Sequence, residues 1–419
     1  MTHRINHIIY VTFLIIILFI PSLVSAIENI QATQKKLNEL GFNAGVADGI
    51  WGDTTENALI EYLASKGKEF DGLLNDNEFR LLGIPISRCV AKPHKHNGSK
   101  LADTWRQEAR CPAEVFITSD LKDSTKSIIE ATLDAVADEW GNYGPVEYWV
   151  MGSDKVASLE LIKKYCLRRA ENKNMNFDKC SDRETRAKGP GLLNYHKMGA
   201  RALSTKKWIF NAGYNGGSKW GIFRFSSSLP LGLEGKIGAS AAKDQKQIMH
   251  EYFHGVQNAH IQNLNRQKRK TLMGPVWFTE GAAEYMASVT FPKLVMEKKI
   301  ERFGNVKWDY DLKKEMRIKF KQAKLLNDKY DCIPQMTNHE YDSPCRRFFY
   351  EGGTWAIAYL VSQTNENILI TDFYPNLEKL GWEATFQKTF QRSPDAFYKD
   401  FEGFLKKQPA EVLRLLPEY

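Results

Sequence analysis

Apolar and polar positions change rhythm several times along the chain. After a short basic start at Arg4, almost every residue from Ile8 to Ile20 is apolar, and Pro21 breaks the run. Between residues 30 and 67 apolar positions return at helical spacing in two stretches, separated by a glycine-rich turn. Ala58, Leu59 and Tyr62 give the second stretch its stripe, and "LLNDNEFRLLGI" adds a third short helix. Asp53 to Glu56 has the form of a capping box, and Gly45 and Gly49 suit turns with positive backbone angles. "SRCVAKPHKHNGSK" then loses all periodicity and reads as a linker; its His94 and His96 sit among lysines as solvated surface.

Regular patterning resumes with "STKSIIEATLDAVADEWGN", a helix with Ser124 as its cap. "VEYWVMG" reads as a strand, and "KKWIFNAGYNGG" and "KWGIFRFSSSLPL" as two more around a glycine-rich turn. Helical spacing dominates afterwards, over 243–266, 277–289, 311–326 and 351–364. Strands first and helices afterwards predict an α+β domain. The expected organisation is residues 1–26 as an export signal, 27–85 as a three-helix module, 86–112 as a linker and 113–419 as one large domain.

The signal reading rests on the basic start, the short apolar run and the small residues of "VSA" before the expected cut after Ala26. The run is short for a bilayer span, so no stable membrane insertion is expected after cleavage. Periplasmic or secreted localisation follows. Six cysteines then read as disulfides, in the local pairs Cys89–Cys111, Cys166–Cys180 and Cys332–Cys345. A net charge of +8 over 419 residues is only a mild basic bias; it gives no reason to expect a nucleic-acid partner and suits an anionic cell envelope equally well.

Residues 30–67 resemble the common bacterial peptidoglycan-binding domain, through Leu40, Gly41, Phe42, Gly45, Asp48, Gly49, Trp51, Gly52, Thr55, Ala58, Leu59 and Tyr62. The resemblance implies attachment to wall glycan or stem peptide, with Asp48 and Trp51 as candidate contacts. The pattern departs from the family's after Tyr62, where Leu63 replaces a frequent Gln.

"QIMHEYFHGVQNAH" carries the chemistry of the larger domain. In H-E-x-x-H on a helix, His250 and His254 lie one turn apart on one face and can both aim at one metal ion. Glu251 lies about 100° round the helix, where it can reach a metal-bound water without binding the metal. The flanking Ile248, Met249, Tyr252 and Phe253 predict a buried helix, whose histidines need partners. His260 has the spacing of a third ligand, but that completion needs a helix-breaking glycine where Gln257 stands. "WFTEGAAEYMA" offers Glu280 and Glu284 instead, four apart on an amphipathic helix.

H-E-x-x-H followed by W-F-x-E-G-x-A-E-Y is similar to the gluzincin metallopeptidases. The resemblance implies a thermolysin/aminopeptidase-like domain holding one zinc ion through His250, His254 and Glu280, with Glu251 as catalytic base and Glu284 orienting a histidine from behind. "FFYEGG" resembles the Y-E-x-G element of the aminopeptidase type, which implies that Tyr350 stabilises the oxyanion. The strand pair around residues 221–227 would lie alongside an extended peptide or protein substrate. The 25 residues between His254 and Glu280 exceed the aminopeptidase spacing, and no G-x-M-x-N strand is present, so aminopeptidase action does not follow. The expectation is an exported, wall-tethered zinc peptidase. The alternatives are a catalytically inactive peptidoglycan-binding protein, or a hydrolase of peptidoglycan stem peptides.

Overall fold

Why the chain folds in two places is visible in its apolar clusters: one small core between residues 30 and 84, and a much larger one beyond residue 113. The computed structural model describes residues 26–84 and 113–418, apart from 71, 73, 75, 173, 187, 188, 190, 218–221, 262, 264 and 302–309. The export signal, the linker with His94 and His96, and the Cys89–Cys111 pair therefore lie outside the described residues.

In the small module, α1 (Ala26–Glu39), α2 (Asp53–Ser65) and α3 (Asp76–Leu82) enclose Leu37, Leu59, Tyr62 and Phe79. The turn between α1 and α2 is organised by a buried glutamine. The Gln34 carbonyl accepts from Gly49 N–H at 2.9 Å, and its amide donates to Ile50 O, Thr55 Oγ1 and Asp48 Oδ1 at 2.9–3.1 Å. Gly45 and Gly49 have φ near +77° and +76°, which only glycine adopts without strain. α2 starts one residue earlier than the expected capping box requires. Gly52 is the N-cap, without a side-chain cap, and the Glu56 carboxylate instead accepts from the Trp51 indole at 3.4 Å.

The large domain opens with β1 (Glu114–Ile117), α4 (Asp123–Trp140), β2 (Val146–Val150), α5 (Lys155–Glu171), α6 (Phe177–Glu184), α7 (Leu192–Thr205), β3 (Ala212–Tyr214) and β4 (Phe223–Ser227). The sheet order is β1-β2-β4-β3, with β1, β2 and β4 parallel and β3 antiparallel at the edge. This corrects the expected order of strands before helices. Parallel neighbours need crossovers, and α4 and α5–α7 supply them. β2 is buried along its whole length, as a central parallel strand covered on both faces must be. Tyr148 and Val150 enter the main core; Trp149 and Met151 enter a second cluster with Tyr165, Cys166 and Cys180. Ser124 lies inside α4, whose N-cap is Lys122. The coarse α+β character stands: a small sheet followed by a helical half.

That half contains α8 (Ala241–Ala259), α9 (Arg266–Met273), α10 (Val276–Met296), α11 (Leu312–Tyr330), α12 (Arg346–Ser362), α13 (Tyr374–Leu380), α14 (Trp382–Phe390) and α15 (Pro394–Leu405). α10 and α12 cross with backbones almost touching: a Cβ on Gly281 would stand 2.4 Å from the Gly353 carbonyl carbon, and one on Gly353 2.5 Å from Trp277 O. Only glycine fits both positions, and the crossing brings Glu280 and Tyr350 to one place. Two disulfides, Cys166–Cys180 and Cys332–Cys345, form as expected; the first joins α5 to α6, the second closes the segment between α11 and α12.

Candidate metal centre

α8 is capped by Ser240, whose hydroxyl accepts from Lys243 N–H, and it is buried on most of its circumference. Within it, His250 and His254 point their Nε2 atoms together, 3.2 Å apart. From α10, Glu280 Oε2 completes a triangle at 3.4 Å from each. Ligands bound to one tetrahedral zinc at ordinary bond lengths stand about 3.3–3.5 Å apart. The three atoms therefore have the spacing of three corners of such a site, and form a group able to hold an ion.

The far side of each imidazole is also arranged. His250 Nδ1 meets Glu284 Oε2 at 2.9 Å, and His254 Nδ1 meets Gln257 Oε1 at 2.8 Å. An acceptor on Nδ1 places the ring proton there and leaves the Nε2 lone pair for a cation. Gln257, fully buried, is oriented in turn by donating to Thr279 O at 2.8 Å and Tyr374 Oη at 3.0 Å. Glu284 is gripped by Lys246 and by Lys319 at 3.0 Å; Lys246 also reaches Glu315 at 2.8 Å and Lys319 reaches Glu351 at 3.3 Å.

Charge favours a cation. Glu251, Glu280, Glu284, Glu315 and Glu351 outnumber Lys246, Lys319, Arg346 beside Tyr341 and the largely exposed Arg347, which is 3.6 Å from Glu351. Burial opposes protonation of His250, but hydrogen bonds to Glu280 and Glu284 overcome it and push the ring up to about 10. His254 is raised too, against burial, by the charge of Glu280. Burial would raise Glu280 and Glu284; the histidines hold Glu280, and Lys246 and Lys319 hold Glu284, well below the usual carboxylate range. Two imidazoles, one carboxylate and a surplus of negative charge suit zinc.

Glu251 stands outside the triangle. Its Oε2 accepts from Tyr214 N–H on β3 and its Oε1 from the Gln247 amide, both at 2.9 Å. The strand expectation needs correction here: β4 is paired on both sides, so its ladder is full, and the edge nearest Glu251 is β3. Tyr350, on α12, is half-buried beside Glu280. Burial first, then the Glu280 charge, raises its phenol far above the usual value, so it stays a proton donor. Tyr341 behaves likewise, and its hydroxyl donates to Glu280 Oε1 at 2.5 Å.

The geometry thus brings together His250, His254, Glu280, Glu251, Glu284 and Tyr350. His260 is not among them: it ends α8, buried against Tyr143 and Tyr374, with ring centroids 5.0 and 6.2 Å away. Gln257, Lys246, Lys319, Tyr214 and Tyr341 were not read from the sequence. Gln257 and Lys246 carried a usable signal, lying three and four residues from a histidine on the same helix.

In the small module the candidate contacts separate. Trp51 is 5% exposed and packed in the core beside Phe70, so its side chain serves the fold. Asp48 is exposed; its Oδ1 accepts from Ile50 N–H at 2.9 Å and so also shapes the turn.

Residues 27–82 match the family described as "Putative peptidoglycan binding domain". This segment is a peptidoglycan-binding domain, and it supports association with the cell wall. No curated protein and no solved structure matches the chain. Among the described residues, no helix is long and apolar enough to cross a membrane.

Proposed function

We propose that the protein is an exported zinc peptidase, anchored at the cell wall by residues 27–82, that hydrolyses peptide bonds of proteins or peptides. The observation that carries this reading is the convergence of His250 Nε2, His254 Nε2 and Glu280 Oε2 within 3.2–3.4 Å, with Glu251 on the next position of the same helix. Zinc bound there would supply Lewis acidity and a water of lowered pKa.

The chain's own residues divide the remaining work. Glu284 and Gln257 hold the imidazoles with Nε2 forward. Glu251, steadied by Tyr214 N–H and Gln247, takes the proton of the attacking water and returns it to the leaving amine. Tyr350 donates to the carbonyl oxygen as charge develops on it. β3 offers an edge along which an extended substrate lies; Tyr214 N–H is committed to Glu251 and Gly213 and Asn215 face β4, so pairing falls to Ala212 and the Tyr214 carbonyl.

The test is Glu251→Gln, with zinc content and cleavage of a mixed peptide library measured together. Zinc retained with cleavage reduced about 10²–10⁴-fold is expected. Undiminished cleavage would sink the mechanism. A wild-type chain that binds peptidoglycan and zinc but turns over neither peptides nor isolated stem peptides would leave the binding-protein reading in its place.

A further inference from the structure

The segment between α11 and α12 delivers Tyr341 to Glu280, and its construction is specific. The Cys332–Cys345 bridge closes it. Asn338 O accepts from Val276 N–H at 3.0 Å, tying the segment to the start of the helix that carries Glu280. Asn338 Oδ1 accepts from Glu340 N–H at 2.7 Å, and the Ser343 hydroxyl donates to Gln335 Oε1 at 2.8 Å, bracing the turn around Tyr341. The result is an unusual split within one side chain. Tyr341 as a whole is 44% exposed, yet its hydroxyl rests on a carboxylate that is 5% exposed.

Glu280 has two oxygens, and they face different partners. Oε2 looks at both imidazoles from 3.4 Å, while Oε1 is occupied by the Tyr341 hydroxyl at 2.5 Å. A carboxylate can meet a cation through one oxygen or both. A phenol donating to Oε1 draws that oxygen away and presents Oε2 alone.

We propose that Tyr341 is a positioning residue which keeps Glu280 a one-oxygen ligand, so that a coordination position stays open for water and substrate, and that the Cys332–Cys345 clip exists to hold it there. This rests on the zinc reading of His250, His254 and Glu280. Tyr350 also hydrogen-bonds Glu280, but the contact that holds Oε1 is Tyr341's; without that hydroxyl Glu280 turns to offer both oxygens, and the open position fills.

Cobalt(II) reports this directly, because tetrahedral cobalt absorbs visible light more strongly than five- or six-coordinate cobalt. The full chain is stripped with a chelator, loaded with one equivalent of Co²⁺, and compared with Tyr341→Phe and with the pair Cys332→Ser and Cys345→Ser. Thermal unfolding is followed in parallel to establish that each variant is folded. Tyr341→Phe is expected to lower the visible absorption and to cut peptide turnover of the zinc form about 10–100-fold. The cysteine pair is expected to do the same, with little further loss when combined with Tyr341→Phe, since both act through one contact. Failure of the wild type to bind cobalt would remove the zinc reading and this inference with it. A wild type that binds one ion, with a Tyr341→Phe spectrum identical to it, overturns the inference alone. Loss of turnover at an unchanged spectrum assigns Tyr341 to the substrate instead, and an unchanged turnover shows that the open position does not depend on it; either result also overturns the inference.

Discussion

The two parts of this chain use their signature residues in opposite ways. In residues 27–82 the motif is spent on building the fold. Trp51, Thr55, Ala58, Leu59 and Tyr62 are buried, Gly45 and Gly49 take left-handed turns, and Gln34 fastens the turn from inside. In the large domain the signature residues are buried or half-buried, and their polar atoms meet one another at the spacing a shared cation would give. His250, His254 and Glu280 turn three acceptor atoms toward one point, and every other polar atom of these side chains has a partner behind it. Burying polar groups without satisfying them is costly, and the partners behind these side chains leave the three convergent atoms facing one another, an arrangement a cation could occupy. Motif residues thus serve mainly as scaffold in one region and converge as a candidate site in the other.

The largest expected effect breaks the second half of that contrast. Glu280→Ala removes one corner of the triangle. The purified chain should fall from one retained zinc to none after dialysis, read by metal analysis, while peptidoglycan retention in a pull-down is unchanged. Zinc retained at full stoichiometry would mean that the convergence of the three side chains is incidental. Next comes Trp51→Ala. Truncating a buried aromatic costs about 3–5 kcal/mol, and a core as small as this one has little stability in reserve. The module should unfold, seen as loss of its own thermal transition and of wall retention, while turnover of soluble peptides stays within about twofold. Retention that falls while the module's melting temperature holds would instead assign Trp51 to the contact surface.

What could be read from the sequence follows from how far apart the interacting residues lie. The zinc-helix candidate, the turn glycines and the two described disulfides depend on spacings of fewer than 15 residues, and they were legible. Spacing offered Glu280 and Glu284 together; the choice of Glu280 as ligand came from resemblance. β1 and the three helices α5–α7 were not anticipated, because short buried strands and partly buried helices lack a clean period. The parallel direction of β1, β2 and β4 is set by their crossovers and leaves no local mark. Tyr341 lies 61 residues from Glu280, and Gln257 bonds a tyrosine 117 residues away, so these partners exist only once α8, α10 and α13 have packed. Trp51 is ambiguous in the sequence for a related reason: an aromatic beside a glycine turn reads the same whether it faces a ligand or the core.

Gln257→Leu sharpens the contrast at a smaller scale. It removes the acceptor on His254 Nδ1 and leaves the triangle intact. Zinc affinity is expected to weaken about 10–100-fold, measured by competition with a chelating dye. An unchanged affinity would show that His254 is oriented by packing alone.

The smallest expected effect concerns Asp48, the one residue of the small module on which the contrast is not absolute. Its Oδ1 serves the turn, accepting from Ile50 N–H and from the Gln34 amide, yet the residue is exposed. Asp48→Asn retains a side-chain acceptor and removes the charge. If the carboxylate serves only the turn, the module's stability should change by less than about 0.5 kcal/mol, and retention on peptidoglycan should match the wild type at each salt concentration. Ile50 N–H keeps a partner through the amide oxygen, and Gln34 keeps Ile50 O and Thr55 Oγ1. Retention that falls while the transition stays in place would mean that the negative charge itself meets the wall. One residue would then belong to both fold and site, and the division between the two regions would hold for Trp51 but stop at Asp48.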